Sequence, residues 1–364
     1  MQKGKIAGMS LVAALWLVLA LWAWLKPADT HSVAERRPLA QFPEISTQQV
    51  LEGKFMSAFE SYTLDQFPIR DVFRALKAGF HYGVARQLDN NGIYLSQGYA
   101  AQLEYPLNEK SLSHALSVFQ KINDKYLKDS KVYFSVVPDK GYYLAEAGGY
   151  PAMDYGKLLD TMKAGMPYAS YVNLTDSLQL ESYYRTDTHW RQEKLLPAAN
   201  KLCDALGVPR PAQQELTPVK RSKRFYGVYY GQSALPLQPD PLYTMESPLL
   251  NSCRVMNYET GKYGSVYDET KLKGDDFYEV FLSGSVSLLT IENPNAETDR
   301  ELIIFRDSFG SASAPLLVQG YQKITLVDIR YLSSAMLDRF LDFHGQDVLF
   351  LYSTLVLNNS NQLQ

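Results

Sequence analysis

The chain has 364 residues, 46% of them hydrophobic, and its 36 basic and 39 acidic side chains leave a formal net charge of −3. This near-neutral balance, without a Lys/Arg cluster interleaved with aromatic residues, argues against nucleic acid as a partner. The 5 histidines form neither a His-x-x-x-His pair nor a His-Glu-x-x-His motif, so the sequence predicts neither a dedicated metal site nor a cofactor.

The N-terminal segment is long and apolar enough to cross a membrane. Residues 6–25 carry no charged side chain, and a helix of that length spans roughly 30 Å, the thickness of bilayer hydrocarbon. Lys3 and Lys5 precede it without an acidic residue, so the positive-inside rule makes residues 1–5 a cytoplasmic tip. A cleaved signal peptide is the alternative, because Ser32-Val33-Ala34 offers small residues at the spacing of a cleavage site. The remaining chain is extracytoplasmic in both cases, either anchored or secreted.

Residues 26–48 are polar and contain prolines, which is typical of a stalk between membrane and domain. The domain is therefore predicted over residues 49–364, a length that can bury a large core in one domain with an insertion. A break is expected at Asp65-Gln66-Phe67-Pro68, because the residue before a proline disfavours helix. Apolar residues at helical spacing predict helices around residues 55–62, 73–80 and 111–127.

Continuous apolar runs of strand length recur along the chain after helical stretches. Such runs are typical of parallel strands that are buried on both faces of a sheet, so the pattern predicts an α/β fold. Prolines, glycines and tyrosines dominate between about residues 209 and 295, which indicates an irregular β-rich insertion. The buried strands are predicted at Val132–Val137, Leu302–Phe305, Ile324–Val327 and Val348–Tyr352.

The chain contains two cysteines, Cys203 and Cys253. Two cysteines cannot build a disulfide framework, although the expected compartment is oxidising. They either pair with each other or remain separate buried thiols, and the sequence leaves both possibilities open.

Ser308 stands where a nucleophile is expected in an α/β sheet. It follows the predicted strand that ends at Phe305, and the small residues from Ser311 to Ala314 then open a helix. Ligands bind at the carboxyl ends of the strands in such sheets. The N–H groups at the start of a helix can also bind an oxyanion. The competing interpretation is that Asp307 or Ser308 only caps the helix.

Asp187 and His189 supply the other two groups that nucleophilic acyl transfer requires. In this interpretation Ser308 attacks, His189 is the general base, and Asp187 accepts a hydrogen bond from the imidazole. Apolar spacing from Leu195 to Leu206 predicts a helix that His189 opens, a position that favours the neutral imidazole. The competing interpretation is that Asp187 caps that helix.

Several motifs, in the same order along the chain, resemble those of the DHHW protein family. The motif that gives the family its name reads Asp187-Thr188-His189-Trp190 here, with Thr in the second place. The chain is also similar to the SGNH-hydrolase-like proteins of alginate O-acetylation, which share a Thr-Asp-x-His-Trp motif and a later Ser. The other motifs that carry the resemblance are Asp65–Asp71, Asn91–Leu95, Val137–Lys140, Arg306–Gly310 and Asp328–Tyr331.

The resemblance implies an SGNH-hydrolase-like, flavodoxin-like parallel sheet flanked by helices, in a permuted order with Asp and His ahead of Ser. Carried over to this sequence, it implies a triad of Ser308, His189 and Asp187. Arg330 and Tyr331 have a structural alternative, in which they simply close a strand. The candidates for the oxyanion or substrate pocket are Gly310, Arg330, Tyr331 and Asn358.

The residues and the resemblance together predict an extracytoplasmic serine-dependent O-acyl transferase or esterase that acts on a cell-surface or secreted polysaccharide. By analogy, a membrane anchor favours the transferase, with a membrane-bound protein as acyl donor. The alternative is a non-catalytic surface protein that binds glycan or an assembly partner through the same fold. Turnover of an acetyl ester and labelling of Ser308 by a fluorophosphonate distinguish the two.

Overall fold

The uncharged N-terminal stretch forms one helix, Gln2–Leu25. This computed structural model describes residues 2–364, and it describes side chains from residue 4 onward. The stretch Gly4–Leu25 is long and apolar enough to cross a membrane, and almost none of it is buried. Met1 and the side chain of Lys3 lie outside the described part, so the cytoplasmic tip at residues 1–5 stays a prediction.

The chain divides into two compact units. Unit 1 comprises the residues up to Asn90 together with Gly231–Pro236, and unit 2 comprises Asn91–Tyr230 together with Leu237–Gln364. The boundaries predicted at residues 26 and 49 stay predictions. Besides the N-terminal helix, unit 1 contains the short paired strands His31–Ser32 and Arg37–Pro38, the helices Thr47–Leu51, Lys54–Asp65 and Arg70–Gly79, and the π-helical turn Phe80–Val84.

The end of helix Lys54–Asp65 organises the residues that follow the N-terminal helix. Arg37 forms a bidentate pair with Asp65, at 2.6 and 2.8 Å, and Asp65 Oδ2 also accepts the Ala40 N–H at 2.9 Å. Hydrogen bonding to Arg37 lowers the pKa of Asp65 to about 2. The predicted stalk is thus hydrogen bonded to the helix that follows it.

Unit 2 is built on an eight-stranded sheet. The four predicted buried strands are all present, each within two residues of its predicted bounds. In chain order, the strands of this sheet are β1 (Val132–Val137), β2 (Ser170–Tyr171), β3 (Arg254–Asn257), β4 (Lys262–Gly264), β5 (Leu288–Glu292), β6 (Glu301–Arg306), β7 (Lys323–Val327) and β8 (Asp347–Ser353).

The spatial order of the strands is β4-β3-β5-β7-β6-β8-β1-β2, and the five from β7 to β2 are parallel. Counted from β6 as the first strand, these five follow the order 2-1-3-4-5, which is the flavodoxin-like order. In this chain β1 and β2 come before β6, so the flavodoxin-like sheet is circularly permuted. The predicted fold class is confirmed.

The two faces of the parallel strands pack against separate cores. In β6, Leu302 and Ile304 belong to one hydrophobic cluster, whereas Ile303 and Phe305 belong to the other. Because both faces are buried, the positions from Leu302 to Phe305 are all apolar, and this explains the continuous hydrophobic run in this strand. Cys203 and Cys253 are separate buried thiols, and burial raises the pKa of Cys203 to about 12.

The predicted insertion is β-rich, and its strands extend the main sheet. β5 pairs antiparallel with β7, and β3 and β4 continue outward from it. A separate antiparallel hairpin, Thr217–Phe225 with Asp240–Glu246, completes the insertion. Periodicity alone did not show that these strands would join the sheet.

Helices and short turns cover the sheet, and a hairpin of Ile93–Ser96 with Tyr99–Gln102 precedes them. The α-helices are Glu109–Tyr126, Gly141–Gly148, Tyr155–Gly165, Leu196–Leu206, Val228–Ser233, Pro248–Ser252, Phe309–Ser313 and Thr354–Asn358. The 3₁₀ turns are Thr175–Ser177, Leu180–Ser182, Gln192–Lys194, Gln213–Glu215, Glu269–Lys273, Phe277–Val280, Ala314–Gly320, Ser334–Arg339 and Ser360–Gln362.

Candidate active site

Ser308 lies just beyond the carboxyl end of β6, between the ends of β7 and β8. In the order 2-1-3-4-5, the gap between the first and third strands, here β6 and β8, is the topological switch point, where open α/β sheets bind ligands. Asp307 joins the two strand ends, since its Oδ2 accepts the Ser353 N–H at 2.8 Å and its Oδ1 accepts the Phe309 N–H at 3.0 Å. The Ser308 side chain makes no capping hydrogen bond, so the capping interpretation does not hold for this residue.

Ser308 meets His189, which is 119 residues earlier in the sequence, and its neighbour Asp187 at this point. His189 Nε2 lies 2.7 Å from Ser308 Oγ, and His189 Nδ1 lies 2.6 Å from Asp187 Oδ1. With its proton on Nδ1, the imidazole donates to Asp187 and accepts the Ser308 hydroxyl proton on Nε2. Asp187 is fully buried, and His189 is 9% exposed. The arrangement can therefore remove a proton from a serine hydroxyl.

The prediction that His189 opens a helix is wrong. The helix begins at Leu196 and has Pro197 in its first turn, a position that proline favours. His189 lies instead in a tight turn, whose backbone pairs antiparallel with the preceding segment through Tyr183 and Trp190. The Tyr184 N–H donates to the His189 carbonyl at 3.1 Å. The position of the imidazole thus comes from this pairing and from side-chain contacts, not from a helix end.

Asp187 is held by backbone N–H groups as well as by the imidazole. Its Oδ1 accepts the His189 N–H at 3.0 Å, and its Oδ2 accepts the Val228 N–H at 2.8 Å. The neighbouring Gly227 N–H donates to Thr186 Oγ1 at 2.9 Å. A Cβ at Gly227 would lie 2.2 Å from Asp187 Cβ and 2.4 Å from its Cα, so the close approach requires glycine. Gly227 belongs to the insertion, and sequence reasoning missed it.

Tyr278, also from the insertion, fixes the plane of the imidazole. Its ring stacks on His189 with centroids 3.8 Å apart and planes 8° apart. Tyr278 is buried, and its hydroxyl has no hydrogen-bond partner within residues 2–364. Stacking of this kind limits rotation of the imidazole about its side-chain bonds. Sequence reasoning missed Tyr278, because nothing in the pattern of tyrosines distinguishes it.

Lys140 lies buried beneath the segment that carries the candidate triad. Its Nζ donates to the carbonyls of Tyr184 and Arg185 at 2.9 and 3.3 Å. Burial lowers the pKa of Lys140 to about 7, and the nearby Asp187 carboxylate partly opposes that shift. Lys140 belongs to the motif Val137–Lys140, which carries part of the family resemblance, but the sequence did not indicate a function for this lysine.

The residues after His189 hold the Ser308 turn in place. Trp190 Nε1 donates to the Phe309 carbonyl at 3.0 Å, and the two rings pack edge to face. Gln192 Nε2 donates to the Ala312 carbonyl at 2.9 Å, while its Oε1 accepts the Met245 N–H at 2.7 Å. These contacts fix the distance between His189 and Ser308.

Residues 162–327 match the model of the DHHW protein family. The matched segment contains Asp187, His189 and Ser308, and the predicted resemblance is confirmed. No curated protein matches this sequence.

Solved structures share the fold at low sequence identity. A DHHW family protein from Eubacterium siraeum DSM 15702 overlaps with a TM-score of 0.61 at 21% identity, over 76% of this chain and 95% of that chain. Bacillus cereus PatB1 with a sulfonyl adduct overlaps with a TM-score of 0.56 at 14% identity, over 73% of this chain and 95% of that chain. The O-acetyltransferase domain of Pseudomonas putida AlgJ overlaps with a TM-score of 0.46 at 14% identity, over 73% of this chain and 92% of that chain. The first two overlaps support the α/β assignment.

The structure does not connect Gly310 or Asn358 to the triad through hydrogen bonds. The Gly310 N–H donates to the Asp307 carbonyl at 3.1 Å, so it is already used within its own turn. The Asn358 side chain accepts the Asn108 N–H at 2.6 Å and donates to Glu104 at 2.7 Å. The Ser308 N–H, by contrast, has no acceptor within residues 2–364, which makes it a better candidate oxyanion donor.

Arg330 and Tyr331 follow β7, so they lie at the same edge of the sheet as Ser308. Arg330 forms a bidentate pair with the buried Asp328, at 2.6 and 2.9 Å, which raises the pKa of Arg330. Asp328 also lies 3.6 Å from the guanidinium of Arg306, whose Nε has no partner within residues 2–364. Tyr331 is 55% exposed and its ring lies against the Arg330 guanidinium, so this residue is accessible to a ligand.

Within the described residues 2–364, no group of three or more His, Cys, Asp or Glu side chains is placed to hold a metal ion. A cleft of about 530 Å³ lies within the insertion. Arg221, Glu246 and Asp268 line it, and the three triad residues do not. The candidate chemistry therefore lies at the sheet edge and not in this cleft.

Proposed function

We propose that the chain is an extracytoplasmic enzyme that forms an acyl ester on Ser308 and transfers the acyl group to or from a cell-surface or secreted polysaccharide. The observation that carries this proposal is the pair of contacts at the switch point, 2.7 Å from Ser308 to His189 and 2.6 Å from His189 to Asp187. The Ser-His-Asp triads of serine hydrolases have this order of nucleophile, base and orienting carboxylate.

The proposed reaction has two steps. Ser308 Oγ attacks the carbonyl carbon of the donor while its proton passes to His189 Nε2, and Asp187 stabilises the imidazolium. The leaving group takes that proton, and the acyl group remains on Ser308 as an ester. An acceptor hydroxyl then gives its proton to Nε2 and attacks the same carbonyl carbon, and Ser308 Oγ leaves and takes that proton back from Nε2. A sugar acceptor makes the enzyme an O-acyl transferase, and water makes it an esterase.

The Ser308 N–H is the proposed oxyanion donor. It belongs to the residue that attacks, so it lies beside the carbonyl oxygen of the donor in the tetrahedral intermediate. Arg330 and Tyr331 are proposed to line the substrate pocket at the same edge of the sheet. An exposed aromatic ring such as Tyr331 suits the apolar face of a sugar.

The N-terminal helix supports the proposed location. A retained helix at Gly4–Leu25 anchors the enzyme on the extracytoplasmic face of the membrane, where a membrane-bound acyl donor protein can supply the acyl group. The polysaccharide acceptor is proposed from the resemblance to proteins of alginate O-acetylation. The location and the acceptor are assigned independently of the triad, and an error in either would leave the proposed triad chemistry unaffected.

Serine-directed labelling tests the enzyme directly. We expect a fluorophosphonate probe to modify Ser308 in the full chain, and we expect Ser308→Ala to abolish both modification and acetyl release from a chromogenic ester. Ser311→Ala is the matched control, because Ser311 is buried in the helix that follows. Turnover that survives in Ser308→Ala would show that Ser308 is not the nucleophile. Absence of both labelling and turnover in the unmodified chain would favour the non-catalytic binding protein.

A further inference from the structure

The helix Arg70–Gly79 in unit 1 presents its apolar face to the outside. Helical rotation of 100° per residue places the apolar side chains of this segment on one side of the helix. These side chains are Ile69, Val72, Phe73, Leu76 and Phe80, with exposures of 49%, 54%, 42%, 64% and 58%. These five residues form the apolar face of the helix.

The opposite side of the helix packs into unit 1 through small and charged residues. Ala78 is fully buried, and Arg74 donates to the Gly231 carbonyl at 2.7 Å. Arg70 and Arg74 both pair with Glu35, at 2.6 and 3.1 Å. A surface helix of a soluble protein has the reverse orientation, with its apolar stripe toward the core. The orientation seen here is expected where the outward side of the helix borders an apolar medium instead of water.

The chain itself places this helix close to the membrane. The Asp29 N–H donates to Gln66 Oε1 at 2.8 Å, and Gln66 Nε2 donates back to the Asp29 carbonyl at 2.8 Å. Asp29 follows the last residue of the N-terminal helix, Leu25, by four residues, so it lies at most ~14 Å from the end of that helix. Gln66 in turn precedes Ile69, the first residue of the apolar face, by three residues.

We propose that the apolar face lies in the outer interface of the lipid bilayer that residues 4–25 cross. A helix with one apolar and one charged side lies in the interface plane, with its apolar side about 5–10 Å into the boundary between headgroups and acyl chains. Unit 1 then contacts the membrane at two places, the spanning helix and this face. The inference depends on the retained anchor of the proposed function and is independent of the triad chemistry.

Lipid explains the position of the apolar face as well as its composition. Trp22 and Trp24 stand at the outer end of the spanning helix, the depth at which tryptophans line the interface. The hydrogen bonds between Asp29 and Gln66 hold the start of helix Arg70–Gly79 near that same depth. A protein partner has no comparable constraint on where it binds.

Depth measurement on the full chain in phosphatidylcholine vesicles tests the proposal. Leu76→Cys and Asp71→Cys carry the same environment-sensitive fluorophore, one on the apolar face and one on the opposite side of the same helix. The native cysteines are buried, and the unsubstituted chain gives the labelling background. Intact mass establishes that the N-terminal helix is retained. We expect a nitroxide on the lipid acyl chain, near the headgroup, to quench the label at residue 76 several-fold more than the label at residue 71.

Equal quenching at the two positions would overturn the proposal. A blue-shifted label at residue 76 that the lipid nitroxide does not quench would also overturn it, because a second copy or a protein partner would then cover the apolar face. Fluorophosphonate labelling of Ser308 in the same vesicles reports the proposed enzyme separately. A chain that labels at Ser308 without differential quenching retains its proposed function and loses only this inference.

Discussion

Gly227→Ala tests whether the close packing of the insertion against Asp187 supports the candidate triad. The added methyl group would lie 2.2 Å from Asp187 Cβ, 2.4 Å from its Cα and 2.5 Å from its Oδ2. Two of these atoms belong to or directly adjoin the backbone, so no side-chain rotation relieves the contact. Ordinary carbon contacts begin near 3.4 Å, and the two segments must therefore separate by more than about 1 Å.

That displacement acts on the hydrogen bonds that hold the carboxylate. The Val228 N–H to Asp187 contact, now 2.8 Å, and the Gly227 N–H to Thr186 contact, now 2.9 Å, cannot both survive it. A misplacement of about 1 Å in a catalytic group costs on the order of 10²-fold in rate. Overpacking of this kind also costs about 1–3 kcal/mol of stability. We expect turnover to fall about 100-fold while the protein still folds.

The assay is hydrolysis of a chromogenic acetyl ester, with the rate of fluorophosphonate labelling as a second measure. Gly264→Ala is the matched control, because a Cβ there has no atom within 4 Å. In an Asp187→Ala background the same substitution should have little further effect on turnover, since the carboxylate that it displaces is already absent. Turnover close to that of the unsubstituted chain in folded Gly227→Ala would refute the argument that this packing positions Asp187.

Two further predictions concern side chains around the candidate site. Tyr278→Leu removes the ring that stacks on His189, and aromatic pairs contribute about 0.5–1.5 kcal/mol, so we expect labelling of Ser308 to slow about threefold to tenfold. Tyr278→Phe keeps the ring and should label at the original rate. Lys140→Met should flatten the rise of unfolding free energy with pH above about 7, measured by urea unfolding of the full chain in detergent. The slope that it removes is at most about 1.4 kcal/mol per pH unit.

The sign of the Lys140 effect follows from proton binding. Burial lowers the pKa of Lys140 to about 7 in the folded chain, whereas the unfolded chain keeps the ordinary value near ~10.4. Between these values the unfolded chain binds one proton more, so stability rises with pH. The same slope in Lys140→Met and in the unsubstituted chain would contradict this account.

Slower labelling of Ser308 in Tyr278→Phe than in Tyr278→Leu would show that the Tyr278 hydroxyl matters and not its ring.

Much of the fold could be predicted, because burial on both faces leaves a local signal. β6 and β8 are apolar at nearly every position, and their bounds were predicted to within two residues. The antiparallel strands β3 and β4 left no comparable signal, since they lie toward the outer edge of the sheet and carry polar residues. The helix expected to begin at His189 was wrong because backbone pairing between residues 183 and 190 competes with helix formation.

The candidate triad could be named from residue types, but its surroundings could not. Asp187 and His189 stand two residues apart, and Ser308 follows a recognisable strand, so local patterns suffice for them. Gly227 and Tyr278 lie in an irregular segment, where one glycine or tyrosine looks like any other. Their importance depends on contacts with residues far away in the sequence. A Cβ added at Gly227 would lie 2.2 Å from Asp187 Cβ, and the ring centroids of Tyr278 and His189 are 3.8 Å apart.

The sequence by itself determined the buried parallel strands, the apolar N-terminal helix and the three candidate catalytic residues, because burial periodicity and side-chain chemistry are local properties. Only the tertiary structure decided that His189 Nε2 comes within 2.7 Å of Ser308 Oγ, and that Asp187 receives the Val228 N–H from the insertion. It also decided that the apolar side of helix Arg70–Gly79 faces outward. Periodicity reveals that a helix has two faces, but the neighbours that each face meets depend on the packing of segments distant in the chain.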